Sequence, residues 1–231
     1  MSRIDIYGLY VWGVGAGDEE KEAFRKALKN LEAERDKYKA GSANYKKFNN
    51  ILQAYGKENA PGVTIDFKAG VTAEGYGEAG GGVEPNAVID RQTGKVKLDI
   101  NVTFDTREIQ GHKDDDYFTT AVAHEGRHVI NVRAAIVGAY WDGKTFFAPN
   151  ATTQYKQELD ALSTQQFVAQ KLGADVVFKR AVSGQVIETA LYQRSWGKVD
   201  AMKLREAVNN VLGTQYNLSK DRQGTKFPSI K

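Results

Sequence analysis

Ala121-Val122-Ala123-His124-Glu125-Gly126-Arg127-His128-Val129-Ile130 spells H-E-x-x-H inside a run with helical periodicity, and the rest of the chain is read outward from it. Residues four apart on a helix stand one above the other on the same face, so His124 and His128 are placed to share one metal ion. Glu125 projects about 100° round from His124 and about 60° from His128. Its carboxylate therefore flanks a shared ion without ligating it, where a general base for an activated water belongs. Asp114, Asp115 and Asp116 supply N-cap and first-turn acids, and Ala121, Val122, Val129, Val132, Ala135 and Ile136 form an apolar stripe. The competing reading is two core histidines and a surface glutamate. The chain has only three histidines, and two of them at this spacing with Glu after the first favour the metal.

A catalytic zinc takes three protein ligands and keeps one position open. The chain has no cysteine, which excludes thiolate ligands, a disulfide framework and a cysteine nucleophile. The third donor then comes from His112, Glu158, Asp160 or the acids before the metal helix. Glu158 lies in a helical run from about Thr152 to Leu172 that Gly173 ends. On it, Leu159, Leu162, Gln166 and Ala169 mark one side, and Glu158, Ala161 and Gln165 another. A small residue one turn after Glu158 lets this helix come close enough for the carboxylate to reach the histidines, which favours Glu158 over Asp160 and His112. Without a metal, Glu158 reads as an ordinary solvated helix acid.

Toward the N-terminus, Ile4 to Val11 reads as extended, Gly13-Val14-Gly15-Ala16-Gly17 as a loop, and Asp18 to Lys39 as a helix with Phe24, Ala27, Leu28, Leu31 and Tyr38 at helical spacing. That order is shared with dinucleotide-binding loops. The spacing is nevertheless G-x-G-x-G, and Asp18, Glu19 and Glu20 would put three negative charges where a pyrophosphate docks. No βαβ alternation is read downstream, so nucleotide binding is not expected and Asp18 is read as an N-cap. A second helix covers Ser42 to Tyr55, with Tyr45, Phe48, Ile51, Leu52 and Tyr55 facing the core, and Gly56 and Pro61-Gly62 end it. Val63 to Lys68 alternates as a strand. The glycine-heavy stretch Gly70 to Gly82 is expected to be irregular, a loop over a cleft or a long connection. Val88 to Asp90 and Lys95 to Phe104 form a hairpin around Gln92-Thr93-Gly94, and Val199 to Leu212 is an amphipathic helix.

At 231 residues, 41% hydrophobic and 26% charged, the chain fits one globular domain. Its parts are a helical stretch 1–60, a sheet 61–105, metal-binding helices 114–173 and a helical stretch 174–231. No run approaches the roughly 18 apolar residues of a membrane span, and the N-terminus lacks the pattern of a signal peptide, so a soluble chain is expected. The net charge of +3 divides as +2 over residues 1–60 (11 basic, 9 acidic), −4 over 61–171 (11 and 15) and +5 over 172–231 (10 and 5). The basic charges at the end are scattered among Val, Ala and Leu, which reads as a solvated helix face. Neither nucleic acid nor membrane is expected as a partner.

His124-Glu125-Gly126-Arg127-His128 followed by Glu158-Leu159-Asp160-Ala161 resembles the gluzincin arrangement of H-E-x-x-H with a downstream E-x-x-A. The continuation Ser163-Thr164-Gln165-Gln166-Phe167-Val168 with Lys171-Leu172-Gly173 resembles the short metallopeptidase domains at the C-terminal ends of bacterial RHS-repeat and other polymorphic toxins. The resemblance covers residues 118–173. It implies an α+β, zincin-like fold, with a small mixed or antiparallel sheet packed on an active-site helix and further helices on both sides. It further implies Zn2+ held by His124, His128 and Glu158, Glu125 as general base, and a phenol from Tyr155, one turn before Glu158, or from Tyr140 at the oxyanion. The substrate implied is a protein or peptide, added as a strand along an exposed sheet edge for which Lys95 to Phe104 is the candidate. A cognate inhibitor (immunity) protein and secretion or delivery within a larger toxin go with it. The alternative expectation is a non-catalytic, metal-containing binding module that uses its basic C-terminal region.

Overall fold

The computed structural model of the chain describes residues 9–59, 62–73, 77–78, 81–89, 96–110, 115–137, 140–141, 146–147, 150, 154–174 and 179. In chain order the elements are β1 (Leu9–Trp12), α1 (Asp18–Asp36), α2 (Ala43–Tyr55), β2 (Lys57–Glu58), β3 (Val63–Lys68), β4 (Thr72–Ala73), β5 (Gly77–Glu78), β6 (Gly81–Ile89), β7 (Val96–Asp105), α3 (Thr106–Gln110), α4 (Asp115–Ile136), β8 (Tyr140–Trp141), β9 (Phe146–Phe147) and α5 (Gln154–Leu172).

Five strands form one mixed sheet in the order β2-β1-β3-β7-β6, parallel throughout except that β6 runs antiparallel to β7. Parallel neighbours need a crossover, and α1 with α2 supplies it between β1 and β2. This corrects the expectation that no such unit follows the first strand. With two residues, β2 is too short to show any periodicity.

Alternation along the central strands puts Val63, Ile65 and Phe67 beside Ile100, Val102 and Phe104, all buried. They meet Phe24, Ala27 and Leu31 of α1, Phe48, Ile51 and Tyr55 of α2, and Phe118, Val122, Val129 and Val132 of α4 in one apolar core. Phe24 is its hub, with ring contacts to Tyr10, Trp12, Tyr55 and Phe104. On the opposite face, Thr64, Asp66 and Thr103 are half-buried and Asn101 is exposed. Helix α4 lies at the centre, packed against α1, α2 and α5 and touching β6 and β7. Gly126 makes the contact with α2 close: a Cβ there would stand 3.0 Å from Tyr55 Cε2 and 3.2 Å from Ile51 Cγ2. The Tyr55 hydroxyl donates to Val122 O at 2.6 Å.

Several local expectations change. Helix α1 begins at Asp18, but its N-cap is Gly17, with no side-chain capping bond. The glycine loop before it is tied inward: Gly15 N–H donates to Asp66 Oδ1 at 2.7 Å, and a Cβ on Gly15 would stand 2.1 Å from Phe67 O. The stretch Gly70 to Gly82 is not wholly irregular, because β4 pairs with β5 and β6 begins at Gly81. Strand β7 is flanked by β3 and β6, so its backbone is paired on both sides, and the exposed-edge role given to Lys95 to Phe104 is withdrawn; the edge next to α4 is β6. The helix at Val199 to Leu212, the basic C-terminal region, His112 and Asp114 lie outside the described residues. Among the described residues, no helix is long and apolar enough to cross a membrane.

Glu58 ties the short strand β2 to its neighbours. Its carboxylate accepts from Trp12 Nε1 at 2.6 Å and from Arg25 Nη2 at 2.8 Å and Nε at 3.1 Å. The hydrogen bonds from Arg25, then from Trp12, hold the carboxyl down at about 2 against an ordinary 4.5. A carboxyl with a lowered folded value stabilises in full above its unfolded value and loses that contribution as pH falls through the folded one. Glu58→Gln should therefore lower the thermal midpoint at pH 7, with the deficit shrinking below about pH 4.5 and vanishing near pH 2. Melting curves of both proteins across that range check it.

Candidate metal centre

Helix α4 presents His124 and His128 one turn apart, and α5 crosses it so that Glu158 faces both. The crossing is close because Ala161, one turn after Glu158, is completely buried. Glu158 Oε1 lies 3.4 Å from His128 Nε2, Glu158 Oε2 lies 3.6 Å from His124 Nε2, and the two Nε2 atoms are 3.1 Å apart. Zinc binds such donors at about 2.0–2.2 Å, and donors at tetrahedral angles around it stand roughly 3.3 Å from one another. The observed separations match that spacing, so the three residues fit a tetrahedral ion with one position left over. One ligand atom from each of the three residues falls within 4.8 Å of the others. Side-chain exposures of 16% for His124, 12% for His128 and 24% for Glu158 leave the group reachable from one side.

The two carboxylates near this point differ in charge state. Burial disfavours ionisation of Glu158, but the adjoining His128 and His124 imidazoles together hold its carboxyl well below the usual range. Glu125, 6% exposed, is pushed up to about 7 by burial, with His124 opposing and Glu158 adding. Its Oε2 is buried without a hydrogen-bond partner among the described residues. Strand β6 presses on the other oxygen, for a Cβ on Gly81 would stand 2.7 Å from Glu125 Oε1.

Asp160 is engaged elsewhere, with Lys156 Nζ and, at 3.4 Å, Arg127 Nη2, which separates it from the ligand group. The backbone of Tyr155 lies in α5 and that of Tyr140 in β8; the side chains of both fall outside what is described. Sequence reasoning missed Gly81, Thr120 and the role of Gln165, whose Oε1 is 3.2 Å from His124 Nδ1. For Gln165 a signal existed, since it follows Glu158 by seven residues on one helix face. Comparison with protein-family models, with curated proteins and with solved structures finds no match to the chain.

If the His124, His128 and Glu158 group holds the ion, a ranking follows. Glu158→Ala should weaken zinc binding by at least about 10²-fold, beyond what loss of an outer partner costs, while Asp160→Ala should leave it near wild type. Competition titration against a chromophoric chelator measures both, and the reverse order would move the third ligand to Asp160.

Proposed function

We propose that the chain is a zinc-dependent peptidase that hydrolyses peptide bonds with Glu125 as general base. The reading rests chiefly on Glu125: a carboxylate buried with an unpartnered oxygen beside the His124, His128 and Glu158 group. Such a group costs stability, and proton transfer at the site gives it a use. Zn2+ bound to His124, His128 and Glu158 supplies Lewis acidity toward a water and the scissile carbonyl. Glu125 takes the proton of the attacking water at Oε2 and returns it to the departing amine. A carboxyl held near 7 suits both steps at neutral pH. Glu158, kept anionic between the imidazoles, stays a ligand.

Strand β6 gives this reading a place for the substrate. Pro85 has no amide hydrogen, and proline in an edge strand keeps its nitrogen on the open side. Gly81 and Val83, in phase with Pro85, then turn their backbone groups away from β7 too, with Gly81 and Pro85 buried and Val83 half-buried. A peptide pairing there as an added strand passes beside Glu125. A proteinaceous substrate, delivery as part of a bacterial toxin and a cognate inhibitor protein accompany the same proposal.

Glu125→Gln keeps size and hydrogen-bonding shape but removes the base. It should bind zinc as wild type does, unfold at the same or a higher temperature when metal-free, and lose at least about 10²-fold in cleavage rate. Cleavage is read on unfolded proteins and peptide libraries; a zinc-loaded Glu125→Gln that cuts at the wild-type rate excludes the base. If zinc-loaded wild type cuts nothing, the non-catalytic binding module is the better account. Gly81→Ala offers an independent check. Its methyl group meets the movable end of Glu125 rather than backbone, so the fold and zinc affinity should persist while the rate falls.

A further inference from the structure

We propose that Gln165 is the positioning residue of the metal centre: its amide oxygen takes the Nδ1 proton of His124 and fixes the tautomer whose Nε2 faces Glu158 and His128. The inference rests on the metal-site reading, and not on the peptidase reading.

A neutral imidazole has one donor nitrogen and one acceptor nitrogen, and whatever the first is bonded to decides which of the two can ligate. His124 Nδ1 is 3.2 Å from Gln165 Oε1, and Gln165 Nε2 is 3.4 Å from Thr120 Oγ1. Thr120 is wholly buried, and its hydroxyl donates to Tyr117 O at 2.7 Å. That bond spends the hydroxyl proton and leaves Thr120 Oγ1 an acceptor. It therefore takes the Gln165 amide proton, which turns the amide oxygen toward His124. Reversing the amide would set Oε1 against a hydroxyl whose proton is already committed. Each donor in the run from His124 Nδ1 through Gln165 and Thr120 to the Tyr117 carbonyl thus meets an acceptor, in one direction only. The same polarity turns the His124 Nε2 lone pair toward His128 Nε2, 3.1 Å away, and Glu158 Oε2, 3.6 Å away, an arrangement that a shared cation would satisfy.

Helix geometry explains how one element supplies both the ligand and its guide. Glu158 and Gln165 are seven residues apart, within about 20° of the same line along α5, with Ala161 buried between them. Glutamine also accepts the proton without adding a charge, where a carboxylate would place a third acid beside Glu125 and Glu158.

The test uses Gln165→Met, close in size but without an acceptor, Gln165→Glu, which restores an acceptor, and Thr120→Val, which removes the group that orients the amide. Zinc affinity and the His124 tautomer in the metal-free chain, from ring 15N shifts, are read for each. Expected are a 10- to 100-fold loss of affinity in Gln165→Met, a smaller loss in Thr120→Val, recovery to wild type or tighter in Gln165→Glu, and loss of the Nδ1–H tautomer in Gln165→Met alone. Wild-type affinity in Gln165→Met, or a Gln165→Glu as weak as Gln165→Met, overturns the proposal and assigns Gln165 to packing. Should Gln165→Met not fold, Thr120→Val with unchanged zinc affinity overturns it equally. Failure of the wild-type chain to take up zinc at all overturns the metal centre itself, a result distinct from either of these.

Discussion

Polar groups taken out of water must find partners or do something else, and α4 concentrates that constraint. Along its core-facing side it buries Thr119, Thr120 and Glu125 and half-buries two histidines. Thr119 receives Asn30 Nδ2 from α1 at 3.1 Å. Thr120 and His124 are tied to Gln165, and both histidines face Glu158. The helices around α4 are thus held by pairwise polar contacts as well as by the apolar core. Among the described residues, Glu125 Oε2, Arg127 Nε and Asn131 Nδ2 break the pattern on α4, and of these Glu125 directly follows His124.

These contacts hold only because the elements approach closely, and three small residues set the distances. Gly126 admits Tyr55 and Ile51 of α2, Ala161 lets α5 settle on α4, and Gly81 brings β6 onto the carboxylate. Larger side chains at the helix contacts would push the axes toward the upper end of ordinary interhelical spacing. Glu158 would then be drawn away from the imidazoles. Glycine in the middle of α4 weakens the helix by roughly 1 kcal/mol relative to alanine. Here it is retained where a fully buried tyrosine, anchored on Val122 O, has no room to move.

What the sequence disclosed was local. The histidine pair, the helix carrying it, the start of α2 near Ser42, and the helix ends at Gly56 and Gly173, with φ of 74° and 78°, all follow from spacing or backbone chemistry within a few residues. Glu158 was within reach because Ala161 signalled a close helix. Pairings across long separations were not legible. The parallel match of β1 with β3, the inner position of β7 and the start of β6 at a glycine depend on which strands meet, and period-two alternation says nothing of that. The tie of the glycine loop is of the same kind: the Gly15 amide is committed to Asp66, 51 residues away, which no local spacing announces.

Under the proposed function, the two glutamates divide binding from chemistry. Glu158 sits between His124 and His128, 3.6 and 3.4 Å from their Nε2 atoms, and stays ionised, while Glu125, the residue after His124, is buried and holds its proton to about 7. Pairs of titratable groups whose surroundings drive them apart are how acid and base roles are divided. The division is set by position on the helices. A residue one step after His124 is turned about 100° away from the face that carries the two histidines, toward β6 and Tyr55, where its Oε2 has no hydrogen-bond partner among the described residues. Among the described residues, it is Glu158, arriving from a second helix, that reaches both rings at once. In the proposed reading, the i, i+4 histidine pair thus decides which acid would ligate and which would be left to move a proton.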